Sequence, residues 1–209
     1  MGVIKMSLFG KKKCCLCDAN IGSLYKKKLP CGLLCEKCKN ELSPFVKSSR
    51  FTDIETLKAH IAYRKENAVL LEKFEITRII GEKERLVIDD KNKLFLFTDT
   101  EKWSERQPDI IRFDQVTGFD EYVEAIDSGD YYESSKGIVK DVPVGYVNYN
   151  FSFTLTIDSP WFDVISLQIN RDELNTDDIN SPEYREYKKI LSEVKETFRP
   201  YYRSVKKIS

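Results

Sequence analysis

Cys14-Cys15-Leu16-Cys17, followed after seventeen residues by Cys35-Glu36-Lys37-Cys38, decides how the head of this 209-residue chain folds. Each Cys-x-x-Cys turn presents two thiolates to one ion, and two such knuckles complete the tetrahedron that Zn²⁺ prefers. Cys14, Cys17, Cys35 and Cys38 are therefore the expected metal ligands, holding one structural zinc. A site filled by four thiolates leaves no open position for water, so the expected role of the metal is to fold the head. An iron–sulfur cluster accepts the same four thiolates and stays open as an alternative. A disulfide framework fits poorly with a chain that shows no export signal. A redox Cys-x-x-Cys would open a helix within a βαβ pattern, which does not occur here.

All six cysteines fall between Cys14 and Cys38, so two are left over. Cys15 is adjacent to Cys14 and is expected to point away from an ion held by Cys14 and Cys17. Cys31, in Leu29-Pro30-Cys31-Gly32, is expected at the tip of a hairpin leading into the second knuckle. Either thiol is able to compete as a ligand through a local slip in register.

Outward from the head, charge divides the chain. Residues 1–50 carry eleven Lys and Arg against three Asp and Glu, a net of +8, whereas residues 71–180 carry twelve against twenty-four, a net of −12. Residues 181–209 return to a net of +4, and the whole chain is formally neutral. Hydrophobic residues make up 41% and charged residues 33%, which excludes a wholly disordered chain and implies folded modules with solvated connectors. No apolar run approaches the ~20 residues of a membrane span, and Met1–Gly10 lacks a signal-peptide core, so the expected location is cytoplasmic. Met6 stands where N-myristoylation requires Ser or Thr, and it is also an alternative start.

Four segments follow: a basic extension (1–13), a zinc-ribbon-like domain (14–48), a connecting helix (49–71) and a β domain with a C-terminal helix (72–209). Thr52-Asp53-Ile54-Glu55 has the form of a capping box, and Ile54, Leu57, Ile61, Ala68 and Leu71 recur at helical spacing, predicting a helix over 53–70. His60, the single histidine, lies on it and is read as a structural residue rather than a ligand.

From Phe74 onward the period changes to two. Phe74–Ile80, Arg85–Ile88, Lys93–Phe97, Ile110–Phe113, Tyr146–Ile157 and Val164–Ile169 read as strands bounded by turn residues, an antiparallel meander. Residues 127–141 are polar and without period, either a long loop or a weak hairpin. Ser181-Pro182 opens a closing helix, with Tyr184, Tyr187, Leu191, Val194, Phe198 and Tyr201 along one face and Pro200 expected to end or kink it.

Two resemblances follow from these residues. Phe9-Gly-Lys-Lys-Lys-Cys-Cys-Leu-Cys17, Ile21-Gly-Ser-Leu-Tyr25, Leu33-Leu-Cys-Glu-Lys-Cys38 and Leu42-Ser-Pro-Phe45 resemble the DUF4428 family, a bacterial and phage zinc-ribbon-like domain of unassigned function, over about residues 8–48. The resemblance implies Cys14, Cys17, Cys35 and Cys38 as ligands, and Cys15, Tyr25 and Cys31 depart from its usual pattern. Arg85-Leu-Val-Ile-Asp89, Ile111-Arg-Phe-Asp-Gln-Val116 and the closing helix resemble the pleckstrin-homology-like superfold and its GRAM-type relatives over about 72–202. The expected fold class is thus α+β: a small four-cysteine zinc ribbon, a linker helix, then a PH-like antiparallel barrel or sandwich capped by a helix. The second resemblance implies a binding module.

No catalytic constellation accompanies these modules. There is one histidine, no Gly-rich phosphate loop and no nucleophile elbow, while Asp89-Asp90 and Asp177-Asp178 flank turns. The expectation is a non-enzymatic adaptor with a protein partner. A nucleic-acid-associated factor is the alternative, through Lys11-Lys12-Lys13 and Lys26-Lys27-Lys28. A membrane-surface role is disfavoured, because Lys83 and Arg85 interleave with Glu82 and Glu84 and the acidic middle repels anionic lipid.

Overall fold

The computed structural model describes residues 12–22, 27–127, 133–134, 137–138 and 147–205. The chain divides into two compact units, Met1–Glu72 and Lys73–Ser209.

In the first unit, Lys13 bridges Asn20 across the turn that carries the first two ligand candidates. Strands β1 (Lys27–Leu29) and β2 (Gly32–Leu34) form the expected hairpin, pairing Lys27 with Leu34 and Leu29 with Gly32. A short helix α1 (Glu36–Asn40) follows, then a 3-10 turn (Ser48–Arg50) and helix α2 (Ile54–Glu72). Leu29, Leu34, Leu42, Val46, Phe51, Leu57 and Ile61 are buried and form the core of this unit.

Helix α2 differs from its sequence reading in two respects. Its N-terminal cap is Asp53, one residue beyond Thr52, the cap position of the predicted box: the Asp53 carboxylate accepts the Thr56 amide at 2.7 Å, and Thr52 spends its hydroxyl on Asp53 at 3.0 Å. Its buried stripe is Leu57, His60, Ile61, Arg64 and Asn67, so three polar residues occupy positions that an apolar count passes over.

The second unit opens with β3 (Arg78–Ile80), β4 (Arg85–Asp89), β5 (Leu94–Thr98) and β6 (Ile111–Arg112), paired antiparallel in that order. β3 is shorter than expected: the Thr77 amide still donates to the Ile88 carbonyl at 2.8 Å, but ahead of it side chains take over from ladder pairing. Asp89, fully buried, accepts the Glu75 amide at 3.0 Å, and the Thr77 hydroxyl donates to the Ile88 carbonyl at 2.9 Å. Leu86–Asp89 and Leu94–Phe97 are buried without alternation, so both faces of these central strands are covered.

The other sheet is built on β10 (Val147–Ile157), which pairs antiparallel with β7 (Val116–Asp127) along one edge and with β11 (Val164–Gln168) and then β12 (Leu174–Thr176) along the other. Between β7 and β10 lie two short paired segments, β8 (Glu133–Ser134) and β9 (Gly137–Ile138), and the remainder of 128–146 is outside the described residues. The period-2 reading is sharpest in β10, where Phe151, Phe153, Leu155 and Ile157 are buried and the residues between them are half-exposed. Where β10 changes partner, buried Asn170 completes the ladder: its carbonyl accepts the Phe151 amide at 2.8 Å, and its amide donates to Tyr149 and Asp172 carbonyls at 3.0 and 2.8 Å. β7 and β12 were not legible as strands. Among the described residues the sheets do not close into a barrel.

Helix α3 (Pro182–Val205) covers this core, with Ser181 accepting the Tyr184 amide at its start. Leu191, Val194 and Phe198 are fully buried, and the Phe198 ring lies 4.9 Å from Phe95 and 5.2 Å from Phe113. Tyr187 stacks on Phe151 at 5.0 Å. Pro200 does not end the helix, which runs on to Val205. Proline removes one backbone hydrogen bond, while Phe198 and Tyr201, 5.4 Å from Phe113, anchor the chain on both sides of it. No helix among the described residues is long and apolar enough to cross a membrane.

Candidate metal centre

The two knuckles arise from different local structures. In the first, the Cys14 amide donates to the Ala19 carbonyl at 2.9 Å and Asp18 returns its amide to the Cys14 carbonyl at 3.0 Å, with Asp18 in the left-handed region at φ 57°. In the second, Cys35 immediately precedes α1 and Cys38 lies within it, the Cys35 carbonyl accepting the Lys39 amide at 2.9 Å. The Cys15 amide donates to the Leu33 carbonyl at 2.8 Å and so ties the first knuckle to the hairpin that delivers the second.

The four sulfur atoms of Cys14, Cys17, Cys35 and Cys38 all lie within 4.8 Å of one another. Cys17 and Cys35 Sγ atoms are 3.7 Å apart. A tetrahedron with metal–sulfur bonds of ~2.3 Å has sulfur–sulfur edges of about 3.8 Å, so the cluster has the dimensions of a four-thiolate site able to hold a metal ion. Cys14 and Cys38 are buried and Cys17 is exposed.

The thiols of the cluster differ in their proton affinity. Burial pushes the Cys14 thiol up, but the backbone N–H groups of Cys35, Leu16 and Cys17 point at its sulfur and bring it down to about 6. Once that thiolate forms, the others resist: burial and the neighbouring Cys17, Cys35 and Cys14 groups hold Cys38 well above the ordinary thiol range. The Ala19 amide favours the Cys17 thiolate, yet the Cys14 thiol, burial and the Cys35 thiol leave it raised. Peptide dipoles thus favour one negative charge within the cluster.

His60 takes no part. It is fully buried, its Nε2 accepts the Ser43 amide at 3.1 Å, and the neutral ring therefore carries its proton on Nδ1. Phe51 packs edge-on against it at 5.3 Å. Sequence reasoning missed this bond, the sulfur-directed amides, and the closeness of Gly32 to Cys15. Only the left-handed reach of the Gly32 backbone carries a trace in the sequence.

The remaining candidate residues separate into structural parts. Asp89 accepts the Glu75 and Asn92 amides, and Asp90 grips the Arg78 guanidinium with two bonds of 2.8 and 2.9 Å. Asp178 accepts the Asn180 amide in the turn before α3. Lys12, Lys13 and Lys28 are exposed and Lys27 is half-buried, while Lys11 and Lys26 lie outside the described residues.

No family model, curated protein or solved structure matches the chain.

Proposed function

We propose that this protein is a non-catalytic, zinc-binding adaptor whose four-cysteine head and PH-like β unit serve a protein partner. The carrying observation is the cluster of Cys14, Cys17, Cys35 and Cys38, whose sulfur atoms lie within 4.8 Å of one another. Zinc fits best, because a closed tetrahedral thiolate set between two knuckles is its structural mode, and the ion then serves folding rather than chemistry.

The succession of a four-stranded meander, a second antiparallel sheet and a closing helix supports the PH-like reading of the second unit. Within it, the turn that follows β3 is unsuited to anionic headgroups. Glu82 accepts the Arg171 amide and the Tyr187 hydroxyl, and Glu84 accepts the Gln168 amide, so carboxylates hold this turn in place. With a net of −12 over residues 71–180, the unit favours a partner offering basic or apolar contacts over lipid or phosphate.

A second reading rests on the exposed lysines of the basic head, whose net charge of +8 over residues 1–50 suits phosphate contacts. Binding of the full, zinc-loaded chain to anionic vesicles and to single-stranded and duplex nucleic acid, at low and physiological salt, separates the two. The adaptor reading expects weak binding to all of these at physiological salt. Submicromolar nucleic-acid binding there, lost when Lys11–Lys13 and Lys26–Lys28 are neutralised, would replace it by the second reading.

A further inference from the structure

The six cysteines divide into four and two. Cys15 and Cys31 stand outside the group whose sulfur atoms lie mutually within 4.8 Å. Both are partly exposed, unlike the buried Cys14 and Cys38. The fold nevertheless brings them together from different elements. Cys15 is bonded through its amide to Leu33 of β2, and its side chain lies over Gly32, the residue next to Cys31. A Cβ placed on Gly32 would stand 2.7 Å from the Cys15 Cβ and 3.2 Å from its Sγ. Gly32, at φ 147°, is what lets the hairpin tip come this close. The Cys31 backbone is held from the other side, its amide donating to the Phe51 carbonyl at 3.0 Å.

From this arrangement we infer that Cys15 and Cys31 are a redox pair, closing to a reversible disulfide that ties the first knuckle to the β1–β2 hairpin while the four-cysteine cluster keeps its ion. The Cys31 side chain lies within interaction range of the Cys15 thiol. Where thiols are kept reduced overall, pairs of this kind are transient and redox-sensing rather than structural.

A small-molecule disulfide such as oxidised glutathione supplies the oxidising equivalents. The thiolate of Cys31 attacks one glutathione sulfur, breaking that disulfide and releasing one glutathione thiolate. Cys15 gives its proton to solvent and its sulfur attacks Cys31 in the mixed disulfide, expelling the second glutathione thiolate. Two protein thiols are oxidised and one glutathione disulfide is reduced to two thiols.

The test uses the full chain loaded with zinc and treated with oxidised glutathione, followed by metal analysis, denaturing alkylation without reductant and intact mass. The expected product is lighter by two hydrogens, has lost two of its six alkylatable thiols and retains its zinc. Cys15→Ser and Cys31→Ser should each keep zinc, fail to form the bridge and accumulate a single glutathione adduct instead. The paired variants guard against one of them failing to fold. Absence of any bridge, two glutathione adducts on the wild-type chain, a bridge that survives Cys15→Ser, or a bridge that forms only with loss of zinc would each overturn the inference.

Discussion

The backbone amide of Ser43 donates to Nε2 of His60 across 3.1 Å, joining the loop after the second knuckle to the buried face of α2. The imidazole is fully buried beside Phe51, and burial, with the charge of Arg64 in support, lowers its pKa from 6.5 to about 4. Unfolded, His60 takes up a proton near 6.5, and folded, only near 4. Its contribution is thus fully present above pH 6.5 and is lost as pH falls from 6.5 through 4, on the order of 3 kcal/mol at the acid end. Proton NMR of the imidazole should show no titration between pH 7 and 5, and the urea midpoint of the first unit should fall across that range. An imidazole titrating near 6.5 in the folded protein would refute this.

Metal content is the most direct check on the cysteine cluster. Protein purified without added metal should carry close to one zinc per chain and little iron, and Cys35→Ser should lose it. Because binding energy is folding energy in so small a head, chelation should unfold the first unit and leave the second with its own cooperative transition. Visible absorbance with stoichiometric iron would assign the cluster to iron–sulfur chemistry.

Gly32→Ala should destabilise the first unit by about 1–3 kcal/mol, since it adds a Cβ 2.7 Å from that of Cys15 at a φ of 147°. Gly22, where an added Cβ would meet no atom of the described residues within 4 Å, is the control: Gly22→Ala should be close to neutral there. Equal denaturation midpoints for the two variants would show that the hairpin tip shifts freely.

Phe198 sits where α3 meets both Phe95 and Phe113, at 4.9 and 5.2 Å, and is fully buried. Truncation to Ala should cost about 3–5 kcal/mol in the second unit, measured by urea denaturation. Removing residues 181–209 altogether should leave an insoluble fragment. A soluble, cooperatively folding chain ending at residue 180 would mean that α3 serves a partner instead of the sheet core.

The cysteine cluster was legible because its information is local: two Cys-x-x-Cys turns need only to meet, and the spacing of Cys14, Cys17, Cys35 and Cys38 singles out the four that do. The closing helix was legible for a similar reason, as Leu191, Val194 and Phe198 repeat at helical period on a face wide enough to name what it buries. β10 likewise announced itself through Phe151, Phe153, Leu155 and Ile157. β7 did not, because Asp120, Glu121, Tyr122 and Glu124 are exposed and its strand geometry comes from pairing with β10, a partner distant in sequence. The polar side of α2 was equally silent. An apolar count passes over His60, Arg64 and Asn67, and burying them depends on partners that only the folded chain supplies, as the Ser43 amide does for His60. The nearness of Cys15 to Cys31 belongs to the same class, since it depends on a hairpin tip folding back over a glycine. Sequence by itself determined which four cysteines gather, the two-part organisation of periods and the aromatic helix; tertiary structure alone decided which polar groups meet inside, because such pairings are set by distance in space and leave no period along the chain.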